Sequence, residues 1–168
     1  NDNWDIKISD FGQSNVQNDH INKDYDLTKY VTTRYYRAPE LSLNYSSNYN
    51  SSIDMWSVGC IIAEFFNKKV FLAAAKTEDY LDCLLEMLGM PEHRFLIRLE
   101  TKIFELHECK PVQNQTNEYP VACATATSEA IDLMSRLLTY DPSQRMSALE
   151  VLQHPFLQDL YEAKDTVL

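Results

Sequence analysis

The sequence predicts a mainly α-helical domain, on three observations. Apolar residues recur at spacings of three and four over residues 78–88 and 129–138, the pattern of helices with one buried face. Residues 53–66 are apolar on nearly every side, so a helix there belongs in a core, buried all round. Period-two alternation is confined to Trp4-Asp5-Ile6-Lys7-Ile8, which predicts one short strand near the start of the chain.

The elements follow in order. The strand runs into the turn Asp10-Phe11-Gly12, and residues 13–36 are polar without sustained periodicity. A loop of that length is uncommon in a domain and tends to be functional. Ser51-x-x-Asp54 has the form of a capping box and starts a central helix over about residues 51–66. That run is too short and too interrupted to span a membrane. Thr77 is a fitting N-cap for a helix to Leu88, with Leu81, Leu84, Leu85 and Leu88 on one face and Gly89 and Pro91 as the stop. Residues 92–126 give mixed signals, with a short helix near 95–99 and then loop around 111–120. A helix over 129–138 turns Ile131, Met134, Leu137 and Leu138 inward and ends by Asp141-Pro142. Ser147-x-x-Glu150 caps a last helix through Leu152, and His154-Pro155-Phe156 ends it. There are no internal repeats.

Composition narrows the function. The formal charge is −10 and the pI near 4.8, which excludes a general nucleic-acid binder with a basic face. An acidic surface suits basic peptide partners, and equally suits plain solubility. None of the four cysteines forms a C-x-x-C pair and the four histidines match no zinc spacing. Reduced thiols, with neither a signal peptide nor a membrane-length apolar run, predict a cytoplasmic and/or nuclear protein with no membrane partner.

The chemistry concentrates early in the chain. A carboxylate on a tight turn after a strand, as at Asp10, can face Mg²⁺, which takes oxygen ligands and keeps substrate phosphates in its shell. Phosphoryl transfer needs such a metal to neutralise phosphate charge. Gly12 is expected to permit the backbone geometry of that turn. Thr28 and Tyr30 carry hydroxyls in the polar loop, and each phosphate placed there adds nearly two negative charges. Arg34 and Arg37 are near enough in sequence to pair with them and so to order the loop. Taken singly, each feature also fits an ordinary turn or loop.

Taken in order, they resemble a protein kinase activation segment. Ser9-Asp10-Phe11-Gly12 opens it, Thr28-Lys29-Tyr30 lies within it, and Val31-Thr32-Thr33-Arg34-Tyr35-Tyr36-Arg37-Ala38-Pro39-Glu40 closes it. The Thr-x-Tyr ahead of Thr-Arg-Tyr-Tyr-Arg-Ala-Pro-Glu is similar to the mitogen-activated protein kinases. The resemblance runs from Ile6 to about Asp165 and implies a partial protein-kinase-like fold: the helical large, C-terminal lobe with a short β remnant. It implies a partial kinase domain over residues 1–157, with the activation segment at 10–40, the central helix at about 51–66, an insert-helix region at about 77–91 and terminal helices at about 128–157. Residues 158–168 form an acidic extension.

The resemblance also assigns roles. Asp10, Phe11 and Gly12 fall on the nucleotide and metal motif, with Asp10 the Mg²⁺ ligand. Thr28 and Tyr30 fall on the dual phosphorylation site. Thr33 matches a threonine that bonds the catalytic loop; Tyr36 and Arg37 match the floor of a pocket that favours proline after the target Ser or Thr. Ser52-Ile53-Asp54-Met55-Trp56-Ser57-Val58-Gly59-Cys60 resembles the central helix, where Asp54 braces the catalytic loop and Trp56 is structural. Arg145 matches the buried partner of Glu40. Glu162 and Asp165 resemble an acidic docking patch, although two terminal carboxylates are as often plain solvated charges.

Three departures stand out. Gln13-Ser14 replaces Leu-Ala, Lys29 occupies an unusual middle position, and Phe71-Leu72-Ala73-Ala74-Ala75 replaces a Phe-Pro-Gly turn. The chain also holds no Gly-rich loop, no Val-Ala-Ile-Lys-like strand and no His-Arg-Asp motif. The proton-accepting Asp is therefore expected upstream, and the chain by itself is expected not to catalyse transfer and to expose apolar surface. The resemblance implies a proline-directed serine/threonine kinase in signal transduction, using ATP and Mg²⁺. It would act on proteins with Ser/Thr-Pro sites, be switched on by an upstream dual-specificity kinase, and bind basic docking peptides. The alternative is a pseudokinase or docking fragment that binds kinase partners without catalysis.

Overall fold

A computed structural model describes residues 6–14, 34–42, 50–74, 77–89, 91 and 125–158. Two compact units divide the chain, residues 1–32 and 33–168. In the first, Asp10 takes a left-handed backbone (φ 60°, ψ 69°) and leads into a 3₁₀ turn over Phe11–Gln13. The Ser14 amide and hydroxyl both donate to the Phe11 carbonyl, at 3.0 and 2.7 Å. No strand occurs among the described residues. Ile6 and Ile8 are 92% and 86% exposed, and alternation alone makes no strand without a neighbour to complete the ladder. Trp4 and Asp5 lie outside the described residues.

The second unit is helical. A 3₁₀ turn over Arg34–Tyr36 precedes α1 (Pro39–Ser42), α2 (Ser52–Asn67), α3 (Thr77–Leu88), α4 (Ser128–Leu137) and α5 (Ala148–Leu152), and a 3₁₀ turn over Pro155–Leu157 follows. The expected helix near residues 95–99 and the loop around 111–120 lie outside the described residues.

Helix α2 is the axis of this unit. Trp56, Cys60 and Ala63 on it are fully buried and share a core with Phe71, Leu72, Tyr80, Leu84, Met134, Leu138 and Tyr140. Met55 joins a second cluster with Leu133, Leu137 and Val151. Helix α4 crosses α2 at Gly59: a methyl there would stand 2.9 Å from Leu137 Cβ and Leu138 Cδ2. Such a contact has no room in a close-packed interior. The expectation that α2 is buried on every side is corrected. Ile61 and Phe65, one turn apart, are 44% and 69% exposed. Helix α4 and the Arg34–Tyr36 turn cover two of its sides, and no described element covers this third one.

The capping signals met different fates. Ser51 has a helical backbone (φ −57°, ψ −11°) and makes no side-chain cap bond, so the predicted Ser51/Asp54 box does not form. An N-cap hydroxyl reaches back to the helix from an extended backbone. Instead the Ser52 amide donates to Asn50 Oδ1 at 2.9 Å. At α5 the box is complete, with Ser147 extended and Glu150 Oε2 2.7 Å from the Ser147 amide. Helix α4 is capped by Thr127 and stops at Leu137, ahead of the predicted Asp141-Pro142 end. Helix α3 ends at Gly89, whose φ of +74° favours glycine. The Tyr140 hydroxyl lies 2.9 Å from the Gly89 carbonyl and 3.1 Å from that of Leu84, tying α3 to the chain beyond α4.

Candidate functional site

The site assembles where α1 and the turn before it meet α2. Pro39 opens α1, its fixed φ and missing N–H suiting a first helical position, and Glu40 follows, 1% exposed. Opposite it, the segment after α4 turns sharply. The Ser143 amide and hydroxyl both donate to Asp141 Oδ1, at 2.9 and 2.7 Å. An Asx turn of this kind directs the chain locally and delivers Arg145 inward.

Arg145 and Glu40 pair bidentately: Nη1 to Oε1 at 2.8 Å and Nη2 to Oε2 at 3.0 Å. Nη1 also donates to the Ser52 carbonyl at 2.7 Å. Nε and Nη2 donate to the Thr139 carbonyl at 3.2 and 3.0 Å. These bonds use all five guanidinium donors. The Arg145 Cζ stands 5.1 Å from the Trp56 ring centroid, within cation–π range. Trp56 Nε1 is buried and has no hydrogen-bond partner among the described residues, so the indole serves through its ring. A buried ion pair must offset desolvation through geometry and further hydrogen bonds, and both are present here.

Ahead of α1, Tyr36 is held at both ends. Its carbonyl accepts from Ser57 Oγ at 2.9 Å, and its hydroxyl donates to Glu64 Oε2 at 3.1 Å. Glu64 Oε1 accepts from the Phe71 amide at 3.0 Å. One carboxylate thus links this segment to the turn where Phe71-Leu72-Ala73-Ala74 departs from Phe-Pro-Gly. Partial burial, then the bond to Glu64, raises the Tyr36 hydroxyl above the usual tyrosine range, which keeps it a donor. The Tyr80 hydroxyl on α3 donates to the Arg37 carbonyl, and burial raises its pKa well above the usual value. Burial, then the Glu64 charge, pushes the Cys60 thiol to about 12, so it is not a nucleophile at neutral pH.

The structure brings Tyr36, Arg37, Glu40, Trp56 and Arg145 into this one unit. Asp54 is exposed on the first turn of α2. Arg34 belongs to the 3₁₀ turn, and its side chain lies outside what is described. Thr28, Tyr30, Thr33, Glu162 and Asp165 also lie outside the described residues. Glu64, Ser57 and Tyr80 were not singled out from sequence. The available signal was a lone acid and a lone serine in an apolar run, since a buried polar group is the informative exception.

Asp10 is exposed in the first unit. The left-handed residue of this turn is Asp10; Asp tolerates that region better than most side chains. A methyl at Gly12 would stand 3.4 Å from Asp10 Oδ1, so the glycine keeps one flank of the carboxylate open. Among the described residues no group of three or more His, Cys, Asp or Glu could hold a metal. A lone open carboxylate still fits Mg²⁺, which takes one or two carboxylates and fills its shell with waters and substrate phosphates. No described helix is long and apolar enough to cross a membrane.

The family model for the protein kinase domain matches residues 1–157. The chain belongs to the protein kinase domain family. Among curated proteins this kinase domain is 39% identical over 168 residues to mitogen-activated protein kinase 6 of Arabidopsis thaliana, covering 98% of the chain and 40% of the relative. It is 34% identical over 172 residues to the mitogen-activated protein kinase HOG1 of Candida albicans, covering 98% and 43%. Among solved structures, the MAP kinase LmaMPK10 of Leishmania major matches 82% of the chain and 40% of its own length, with a TM-score of 0.66 and 26% identity. This kinase domain chain thus spans about two fifths of the curated relatives it matches, and the described part is the helical part of a kinase-like fold.

Proposed function

We propose that the chain is part of a proline-directed serine/threonine protein kinase of the mitogen-activated type, transferring the ATP γ-phosphate to Ser/Thr-Pro sites of proteins. The observation that carries this is the bidentate Glu40–Arg145 pair, which fastens the end of the activation segment to the lobe beneath a held Tyr36. Kinase-domain membership and the mitogen-activated relatives support it. Asp10 would hold Mg²⁺, which when bound neutralises charge on the ATP phosphates. Tyr36 and Arg37, fixed through Glu64, Ser57 and Tyr80, would form the floor that receives the substrate proline. The proton-accepting Asp, in this reading, precedes Asp10.

Phosphates on Thr28 and Tyr30 would switch the segment by pairing with Arg34 and Arg37. Glu162 and Asp165 would receive basic docking peptides. The test is phosphate transfer from ATP to paired peptides with and without proline after Ser or Thr, by the protein carrying this chain. We expect transfer to the proline peptides only, abolished by Asp10→Ala. Transfer indifferent to proline, or surviving Asp10→Ala, overturns the reading; peptide binding without transfer favours the non-catalytic docking alternative. Thr28→Ala with Tyr30→Phe is expected to lower activity roughly 5- to 150-fold, the span of an ordinary coupling free energy. Unchanged activity would remove the switch.

A further inference from the structure

The strongest feature outside this site is a histidine whose two ring nitrogens are both engaged. His154 is 5% exposed and caps the 3₁₀ turn Pro155–Leu157. Its Nδ1 accepts from the Phe156 amide at 3.2 Å. Its Nε2 lies 2.9 Å from Asp132 Oδ2 on α4. An imidazole nitrogen that accepts a hydrogen bond carries no proton, so the ring proton sits on Nε2 and is donated to Asp132. Only the neutral ring with this tautomer satisfies both neighbours.

We propose that His154 is a protonation-operated latch on the Phe156 amide: neutral, its ring caps the Pro155–Leu157 turn; protonated, it stays on α4 and gives up that cap, leaving the turn on its backbone bond from the Leu157 amide to the His154 carbonyl at 2.8 Å. A second proton can enter only at Nδ1, where it faces the Phe156 N–H. Two donors then meet and the cap is lost. The Nε2 contact strengthens at the same step, because a cation now faces a carboxylate. Protonation therefore shifts the ring's hold from the turn to the helix. The Phe156 ring packs edge-on against Phe66 at the end of α2, with centroids 6.4 Å apart, so loss of the cap on Phe156 loosens that contact.

Among the described residues the charged neighbours are few. Helix α4 brings Asp132, Arg136, whose Nε is 3.0 Å from Asp132 Oδ2, and Glu129, whose carboxyl feels the imidazole charge. Helix α5 brings Glu150, turned onto Ser147. The 3₁₀ turn brings none.

The test is NMR of the full 168-residue chain across an acid titration, reading the His154 ring signals and Phe156 amide exchange corrected for its intrinsic pH dependence. The ring and amide are expected to change with one midpoint, the corrected exchange rising roughly fivefold or more on loss of the cap bond. The variant His154→Asn offers an acceptor near the Nδ1 position and cannot titrate, so its Phe156 exchange should be flat with pH. Phe156 exchange that ignores the ring titration overturns the latch. So does an undiminished pH response in His154→Asn. The native titration decides the matter even if a variant does not fold.

Discussion

Arg145 and Glu40 are 105 positions apart in sequence and meet with almost no solvent exposure. Removing one partner leaves a bare buried charge, so Arg145→Ala should destabilise by about 3–5 kcal/mol in denaturant melts. Replacing both residues by methionine should recover part of that loss, because the desolvation cost leaves with the charges. Tyr36→Phe deletes one donor to Glu64 and should cost about 1–3 kcal/mol, read the same way. The two partnerships were unequally legible. Glu40 and Arg145 sit in motifs that mark them as partners. Glu64 was hidden, because its role depends on a tyrosine 28 positions earlier and on the path of the turn after α2, and periodicity encodes neither.

Among the elements, helix existence was easier to read than helix ends. The apolar spacing of α3 and α4 reports burial directly, and Leu81, Leu84, Met134 and Leu137 are buried. The Ser51 and Ser147 patterns look alike in sequence, yet only Ser147 is extended and caps. The backbone angle before the helix decides this, and the pattern does not contain it. Residues 6–8 form no strand for a related reason: alternation describes one strand, whereas a strand exists only in a ladder. Gly59 carries the α2–α4 crossing, and Gly59→Ala should destabilise by about 1–3 kcal/mol despite the better helix propensity of alanine, measurable as a lowered midpoint. Acid should weaken these helix starts too. Hydrogen bonds hold the carboxyls of Glu129, Asp132 and Glu150 below their ordinary range. Their stabilising contribution is therefore complete above the ordinary carboxylate range and fades as pH falls through the lowered values. Thermal melts from neutral to acid pH should show the fall, and Glu150→Gln should flatten it.

On the scale of the molecule, one side of α2 in the second unit carries exposed apolar surface. Ile61, Phe65 and Val70 are exposed there beside Lys68 and Lys69. The chain is expected to bind an apolar-surface dye, and Phe65→Glu should reduce that binding without lowering the melting midpoint. A chain that binds no dye would show the patch to be covered.

Arg145 resembles a metal ion with a filled coordination shell. Every donor is assigned, to Glu40, Ser52 and Thr139, and a guanidinium does not deprotonate in the working range of a protein. It can neither exchange ligands nor titrate. Dissolved ions screen surface charges strongly and buried pairs far less, so this joint should outlast salt that dissolves exposed charge contacts such as Asp132–Arg136. Whatever moves in the segment ahead of Glu40 moves against a pivot that salt leaves alone.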